Sequence, residues 1–554
     1  MLSRRVKLRS LFVPLYFLAS SFAQTAREPD QVPALSIRVS TRLVILDAVV
    51  TDKQGRPVPG LQASDFMVAE KGKPQKISVF TPPTEAAAKP QAPALPPGVY
   101  SNRPEYRTSG SSPTVILLDA ANTSLPDQSL ARFQMVRWVL DEYRPGDRVA
   151  IFSLTNGLSV LSDFTDDPSV LLNVLRQFVE QKPPLTAAPA APDAPALIGG
   201  AASQSAMLLT RQFANFHSAE LQFVINHRAD ITISAMQSLV RILGGLPGRK
   251  NVIWLTSSFP FSLVPEEATG LDASGSRWTS AELGRIGGSG GFQNGLDPGQ
   301  QRLYADKVRD IAARFANSQV AIYPVDVTGL DPRGSRDFQR QETMKEIADE
   351  TGGQAFVNQN DIQRGVEMAF SDRAASYTLG YYPADKKWDG GYRKISVKVN
   401  RQGVEVRHRP GYFALDPATE NQKKTERELG DALEDRISAT QIAFDATVSR
   451  VEGGKTRCQF LIDGSSLTAR DAGSGRQLDL DFAVVTFAPD GKILTNQRMK
   501  LAKVLPLDTY EQLLKKGLTV HLDVDIPPGK NLAWLAVRDN YSGNIGTLQV
   551  MLGQ

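Results

Sequence analysis

The stretch that most constrains the fold of this chain is PTVILLDAANT, residues 113–123. Val115 to Leu118 form a continuous apolar run, which predicts a strand buried on both faces, as in a parallel sheet. Beyond it, apolar residues recur at steps of three and four, which predicts an amphipathic helix with a buried stripe made of Leu130, Phe133, Val136, Leu140 and Tyr143.

A turn over residues 144–147 and a second apolar run at 149–154 follow that helix. Strand, helix and strand in this order predict a right-handed βαβ unit. Ligands of open α/β sheets bind at the carboxyl ends of the strands. Asp119 ends the first strand and is therefore the first candidate functional residue.

Length and composition limit the remaining possibilities. A chain of 554 residues predicts two to four domains, and a hydrophobic content of 41% is enough for packed cores. The net charge of +4 is small and dispersed, so it gives no argument for nucleic-acid binding. The single cysteine, Cys458, excludes an internal disulfide framework.

The N-terminus predicts export. A basic segment, MLSRRVKLRS, precedes a short apolar segment, LFVPLYFLAS, and Ser21-Phe22-Ala23 fits a cleavage site. This pattern is typical of a secretory signal peptide, residues 1–23, whose apolar run is about half of the ~20 residues that a membrane span needs. An uncleaved anchor is the alternative. We expect an exported protein, periplasmic or extracellular, with no stable membrane span after cleavage.

Residues 35–80 are predicted to form a β segment, because residues 37–51 alternate in polarity and are rich in Val and Ile, and two further short strands follow at 65–70 and 76–80. Strands this few and short are marginal alone, so we expect them to pair with residues 376–414 in a composite β-sandwich. Residues 81–112 are rich in Pro, Ala and Ser and are interpreted as a linker.

An α/β domain is predicted over residues 113–370, with mobile loops at 182–204 and 264–299. A short strand is expected near residues 354–357, and residues 207–243 are predicted to be one helix or two. The last part, 419–554, predicts a charged helix and an immunoglobulin-like β-sandwich.

Seven motifs over residues 35–414 then carry a family resemblance. They are GRPVPGLQASDFMVAEKGKPQKISVF, VILLDAANT, LPGRKNVIWLTSSFP, AIYPVDVTGL, IADETGGQAF, YTLGYYP and RHRPGYF. In this order they resemble the VWA-related secreted proteins abundant in Acidobacteria, which contain a von Willebrand factor A-like (VWA) domain. The resemblance implies a doubly wound, mostly parallel sheet flanked by helices, set in a multi-domain α/β plus β chain.

The resemblance also implies a metal-ion-dependent adhesion site. Asp119 matches the first aspartate of its D-x-S-x-S motif and Thr123 matches the second serine, while Ala121 replaces the first serine. Thr232 matches a threonine expected just before a helix. The family's second aspartate position falls at Ser257, so the site is interpreted as degenerate.

Two interpretations of this site remain open. In one, Asp119, Thr123 and Thr232 hold Mg²⁺ or another divalent cation weakly, with Asp230 or a partner carboxylate as a further ligand. In the other, no metal binds and Asp119 caps a turn or a helix. Asn122 is assigned a local role, stiffening the loop through an Asx turn. Trp254 is interpreted as a core residue of a buried strand.

The sequence therefore favours an exported, non-enzymatic protein that binds a protein partner, as an adhesin or scaffold, through the strand ends near Asp119. One alternative is a periplasmic hydrolase acting on envelope polymers, which would need a nucleophile and a base; four histidines in the chain argue against it. A purely structural envelope component is the third hypothesis.

Overall fold

The computed structural model describes residues 43–83, 94–106, 113–144, 146–183, 204–260, 298–330, 338–414, 422–434, 437–451, 454–488, 492–526 and 531–552. The predicted signal peptide lies outside these ranges, as do nearly all of the two predicted mobile loops, 182–204 and 264–299. Among the described helices, none is long and apolar enough to cross a membrane.

The described strands follow one another along the chain in short runs separated by turns and helices. They are Val44–Asp52 (β1), Phe66–Glu70 (β2), Lys73–Gln75 (β3), Ile77–Thr81 (β4), Val99–Ser101 (β5), Thr114–Asp119 (β6), Val149–Leu154 (β7), Leu158–Thr165 (β8), Lys250–Thr256 (β9), Val320–Asp326 (β10), Ser376–Tyr381 (β11), Tyr392–Val399 (β12), Val404–His408 (β13), Gly411–Phe413 (β14), Phe444–Arg450 (β15), Thr456–Ile462 (β16), Arg470–Asp471 (β17), Gly475–Phe487 (β18), Ile493–Pro506 (β19), Leu518–Val524 (β20), Asn531–Asp539 (β21) and Ile545–Leu552 (β22).

The described α-helices fall mainly in the middle of the chain. They are Leu125–Asp141 (α1), Pro168–Gln177 (α2), Gln204–Leu243 (α3), Pro298–Asn317 (α4), Phe338–Thr351 (α5), Ile362–Ala374 (α6), Gln422–Glu434 (α7) and Leu507–Lys516 (α8). The span 207–243, which the sequence left as one helix or two, lies within one continuous helix of 40 residues, α3.

The sheet domain, residues 113–374, is built on a mixed sheet with strand order β10-β9-β6-β7-β8. Strands β6, β7, β9 and β10 run parallel, and the edge strand β8 is antiparallel. Residues from α1, α2 and α6 pack on one face, and residues from α3, α4 and α5 pack on the other. In place of the short strand expected near 354–357, there is an isolated parallel bridge between Val325 and Phe356.

The buried face of α1 differs from the predicted stripe. Val136 and Tyr143 pack against the core, but Leu130, Phe133 and Leu140 are exposed, the last two at 59%. A second stripe, which includes Ala131, Met135 and Trp138, faces the sheet instead, and the Trp138 ring stacks on Phe370. The prediction was wrong because the helix carries two apolar stripes and the larger aromatic decides which one is buried.

The composite sandwich consists of two sheets, β13-β1-β11-β4 and β14-β12-β2-β3, that share one hydrophobic core. Strand β1 pairs with β11 and β13, and β2 pairs with β12, all antiparallel. Strands from residues 44–81 and from residues 376–413, which flank the sheet domain in the sequence, therefore contribute to both sheets.

The C-terminal sandwich consists of the sheet β20-β16-β15-β5 and a second sheet in which β18 pairs with β17, β19 and β21, and β21 with β22. Strand β5 lies within residues 81–112, so the interpretation of that whole stretch as a linker was wrong. Asn102 explains the docking: its buried amide donates to the carbonyls of Ala439 and Ile442 at 2.9 Å each. A Pro/Ala/Ser-rich composition does not predict hydrogen bonds to residues more than 300 positions away in the sequence.

Both sandwiches dock at the amino-terminal end of the mixed sheet. Arg249, just before β9, lies 3.8 Å from Asp47 of the composite sandwich, and its guanidinium donates to the carbonyl of Gly352 at 2.6 Å. Thr440, in the C-terminal part, is hydrogen-bonded to the end of α3. Its N–H donates to Arg241 O at 2.9 Å and its hydroxyl donates to Ile242 O at 2.7 Å. The opposite end of the sheet, where Asp119 lies, is not used in these contacts.

Candidate functional site

The candidate site is the rim, defined here as residues 119–125 from the end of β6, 256–260 from the end of β9 and 326–330 from the end of β10. The rim begins at Asp119, where β6 ends. Helix α1 follows after a short loop, since Ser124, five residues later, is its N-cap. The Ser124 hydroxyl accepts the N–H of Asp127 at 3.4 Å and donates to its carboxylate at 2.7 Å. This cap keeps the loop short and its side chains close to β6.

Asp119 is buried, at 2% exposure, and its carboxylate accepts hydrogen bonds on both oxygens. The Asn122 N–H donates to Oδ1 at 3.0 Å. The Trp254 indole N–H and the Thr256 hydroxyl donate to Oδ2 at 3.0 and 2.9 Å. Asp119 therefore joins the carboxyl ends of β6 and β9, and Trp254, expected only to be core, is also a hydrogen-bond donor to the site.

Asn122 connects Asp119 to Thr232. Its side-chain nitrogen lies 3.2 and 3.0 Å from the two carboxylate oxygens and 2.9 Å from the Thr232 hydroxyl oxygen. The Thr232 hydroxyl in turn donates to the carbonyl of Arg228 at 2.8 Å. Sequence reasoning assigned Asn122 only a local turn, since the link to α3 spans 110 positions.

Thr232 is part of the site, but it does not precede its helix as expected. It lies inside α3, which begins at Gln204, and it is fully buried. Thr123 is also buried, and its hydroxyl oxygen accepts the N–H of Ser257 at 3.1 Å. Asp119 and Thr123 thus belong to the rim, and Thr232 contacts it from α3. Asn122 bridges Asp119 and Thr232, and Thr123 is hydrogen-bonded to the loop after β9.

The charge of Asp119 is held in a low-dielectric environment. Burial is the largest effect on the pKa of Asp119 and raises it, while the hydrogen bonds from Asn122, Trp254 and Thr256 act in the opposite direction. A positive charge lies nearby: burial lowers the pKa of Arg228, and attraction to Asp119 opposes that shift. Donors and a guanidinium, all from this chain, therefore stabilise the carboxylate.

These residues do not fit a hard divalent cation. Mg²⁺ needs about six oxygens in a near-octahedral array. Here both Asp119 oxygens already accept N–H or O–H donors, and the group between Asp119 and Thr232 is an amide nitrogen that carries hydrogens. Asp230, the candidate extra ligand, accepts from the Tyr304 hydroxyl at 3.3 Å. Within the described ranges, no group of three His, Cys, Asp or Glu is positioned to hold a metal ion.

Chemically reactive side chains elsewhere have structural partners. Cys458 is buried in the C-terminal sandwich, and burial raises the pKa of its thiol to about 12. His408 accepts the N–H of Val397 at 3.1 Å on one ring nitrogen and contacts the carbonyl of Arg409 at 2.7 Å through the other. Both therefore serve packing and strand pairing.

No protein-family model and no curated protein matches this chain. Three similar solved structures are the conserved hypothetical protein BatB from Bacteroides thetaiotaomicron (15% identity, 48% of this chain and 99% of that one, TM-score 0.22), a von Willebrand factor type A protein from Catenulispora acidiphila (9%, 94% and 76%, 0.20) and the PilB minor pilin from Streptococcus sanguinis (10%, 48% and 62%, 0.26). These TM-scores are too low to carry an argument about this chain.

Proposed function

We propose that this chain is an exported, non-enzymatic protein that binds a protein partner through the rim, as an adhesin or scaffold. In this proposal the sheet domain is a doubly wound VWA-like domain, the C-terminal sandwich is immunoglobulin-like, and both sandwiches act as supports. The predicted signal peptide supports export to the periplasm or the cell exterior.

The observation that carries the proposal is the position of the rim at a topological switch point. From β6 the chain proceeds to β7 and β8 on one side and to β9 and β10 on the other, so β6 and β9 are neighbours whose crossover helices lie on opposite faces. Open α/β sheets bind ligands outside the carboxyl ends of such strands. Asp119 and Thr256 meet at this point.

The rest of the architecture supports the same surface. The two sandwiches dock at the opposite end of the sheet through Asp47, Arg249 and Thr440, so these described contacts do not involve the carboxyl ends. The rim presents Ser124 and two exposed apolar side chains, Leu125 at 36% and Leu330 at 56%. Protein interfaces combine an apolar centre with a polar, solvent-accessible periphery, and these side chains offer both.

Single-site crosslinking tests this proposal, because the one native cysteine is buried. Ser124→Cys places a reactive thiol on the rim, and Ser396→Cys places a matched thiol on an exposed position of the composite sandwich. Both variants of the full chain carry a photoactivatable label and are mixed with envelope proteins of the producing organism.

We expect a defined crosslinked protein from Ser124→Cys only. Excess unlabelled wild-type chain should compete for it, whereas excess Leu125→Arg chain should not. Equal products from both labelled positions, or a product from Ser396→Cys alone, would contradict rim binding and favour a structural envelope component. Hydrolysis of envelope polymers by the wild-type chain that Asp119→Ala abolishes would instead favour the hydrolase.

A further inference from the structure

We infer that the side-chain amide of Asn122 takes the place of a metal ion at the rim. It holds Asp119 and Thr232 in position by hydrogen bonds, so the rim is organised without a divalent cation. The inference concerns how the rim is held, and it stands whether or not a partner binds there.

The amide nitrogen contacts both of the oxygens that a bridging cation would have to join. A cation that coordinates both Asp119 and Thr232 must approach each oxygen to about 2.1 Å for Mg²⁺. The Asn122 nitrogen lies 3.0 Å from Asp119 Oδ2 and 2.9 Å from Thr232 Oγ1, which are ordinary hydrogen-bond distances. The hydrogen of the Thr232 hydroxyl points to Arg228 O, so its oxygen is available to accept from Asn122.

Hydrogen-bond chemistry also determines the orientation of the amide. Asn122 is 8% exposed, and its Oδ1 is buried without a hydrogen-bond partner among the described residues. Flipping the amide would bring this oxygen against both carboxylate oxygens of Asp119. The side chain therefore leaves one acceptor unsatisfied and keeps its NH₂ group on Asp119, which is the arrangement expected of a group that replaces a cation.

An isosteric change tests the inference. Asn122→Asp keeps the side-chain shape, removes the donors and brings a second carboxylate against Asp119. We expect its thermal unfolding midpoint in EDTA to fall by on the order of 5 °C, because two buried like charges then face each other. Millimolar Mn²⁺ should restore much of this loss, since two carboxylates and a hydroxyl now form a cation site. The wild-type midpoint should be the same in EDTA and in Mn²⁺.

Asn251→Asp is the matched control. Asn251 is buried, donates to a neutral carbonyl, Ala369 O, at 2.6 Å, and also has an unpartnered Oδ1. We expect its midpoint to fall equally in EDTA and in Mn²⁺, because the group that Asn251 contacts is a neutral carbonyl.

Two results would overturn the inference. One is an increase in the wild-type midpoint with Mn²⁺ that Asp119→Asn abolishes. The other is a folded Asn122→Asp chain whose midpoint in EDTA equals that of the wild type, or whose loss Mn²⁺ does not reduce. If Asn122→Asp does not fold, the effect of Mn²⁺ on the midpoints of the wild type and Asp119→Asn still tests whether the wild-type rim binds a cation. None of these results depends on the crosslinking experiment, so the two proposals fail separately.

Discussion

The indole N–H of Trp254 donates to Asp119 Oδ2 at 3.0 Å, which links a fully buried tryptophan of β9 to the carboxylate that ends β6. The same tryptophan packs edge-on against Phe259, in the loop that follows β9. Core packing and the rim are thus connected through one residue. A change at Asp119 is therefore expected to affect stability as well as the rim surface.

Asp119→Ala should lower the free energy of unfolding by about 3 kcal/mol, because the indole, a hydroxyl and the Asn122 donors lose their buried acceptor. Chemical denaturation of the full chain, followed by tryptophan fluorescence, measures this loss. Asp141→Ala is the control, since Asp141 is exposed and forms a long ion pair with Arg137, at 3.8 Å. Equal stabilities of the two variants would show that Asp119 has no structural role.

Gly245→Ala should disrupt the contact between the sheet domain and the C-terminal sandwich. A Cβ at Gly245 would lie 1.7 Å from the carbonyl oxygen of Thr440, so one backbone must move. We expect a loss on the order of 3 kcal/mol and faster hydrogen exchange at the Thr440 N–H. Gly430→Ala, in α7, meets nothing within 4 Å and should change stability by less than about 1 kcal/mol. Unchanged exchange in Gly245→Ala would contradict the docking geometry.

Lys250→Met should alter the pH dependence of stability. Lys250 is 2% exposed at the start of β9, and burial lowers its pKa to about 7, while attraction to Asp47 opposes the shift. Above about pH 7 the native chain releases a proton that the unfolded chain retains up to its ordinary pKa of about 10.5. The unfolded state binds more protons in this interval, so the stability of the wild type rises with pH.

The unfolding midpoint of the wild type should therefore increase relative to that of Lys250→Met between about pH 7 and about pH 10. Below about pH 7 the penalty for the buried charge is fully present, and the difference between the two chains should be constant. Lys398→Met, at an exposed position of β12, should follow the wild-type pH profile. Parallel curves of unfolding midpoint against pH for the wild type and Lys250→Met would show that Lys250 has the same protonation state in the native and unfolded chains.

Glu70→Gln should destabilise the composite sandwich by at least about 3 kcal/mol, because it leaves the buried Arg393 guanidinium without its nearest carboxylate. Glu70 lies 3.4 Å from Arg393 and accepts the Tyr381 and Tyr412 hydroxyls at 2.9 and 3.0 Å. Denaturant unfolding measures the loss. Glu342→Gln, which breaks a partly exposed pair with Lys345, should cost less than about 1 kcal/mol. A smaller loss for Glu70→Gln than for Glu342→Gln would refute the role of the buried pair.

The sequence alone determined the elements whose signals are local. The apolar runs at 115–118 and 149–154 predicted parallel strands, and β6 and β7 pair in parallel. Asp119 follows the first run directly, so its place at a strand end could be predicted from the same pattern. Such patterns are readable because a strand buried on both faces admits little except apolar side chains.

Only the tertiary structure decided which of these local features meet. Helix α1 carries two apolar stripes, and the one that contains Trp138 packs against the sheet. Asn122 follows Asp119 by only three positions in the sequence. Its hydrogen bond to Thr232, however, depends on how α3 packs against the sheet. Strand β5 joins a sheet whose other strands lie more than 300 residues later. Contacts between distant segments depend on packing and on the burial of polar groups, and local periodicity contains no information about either.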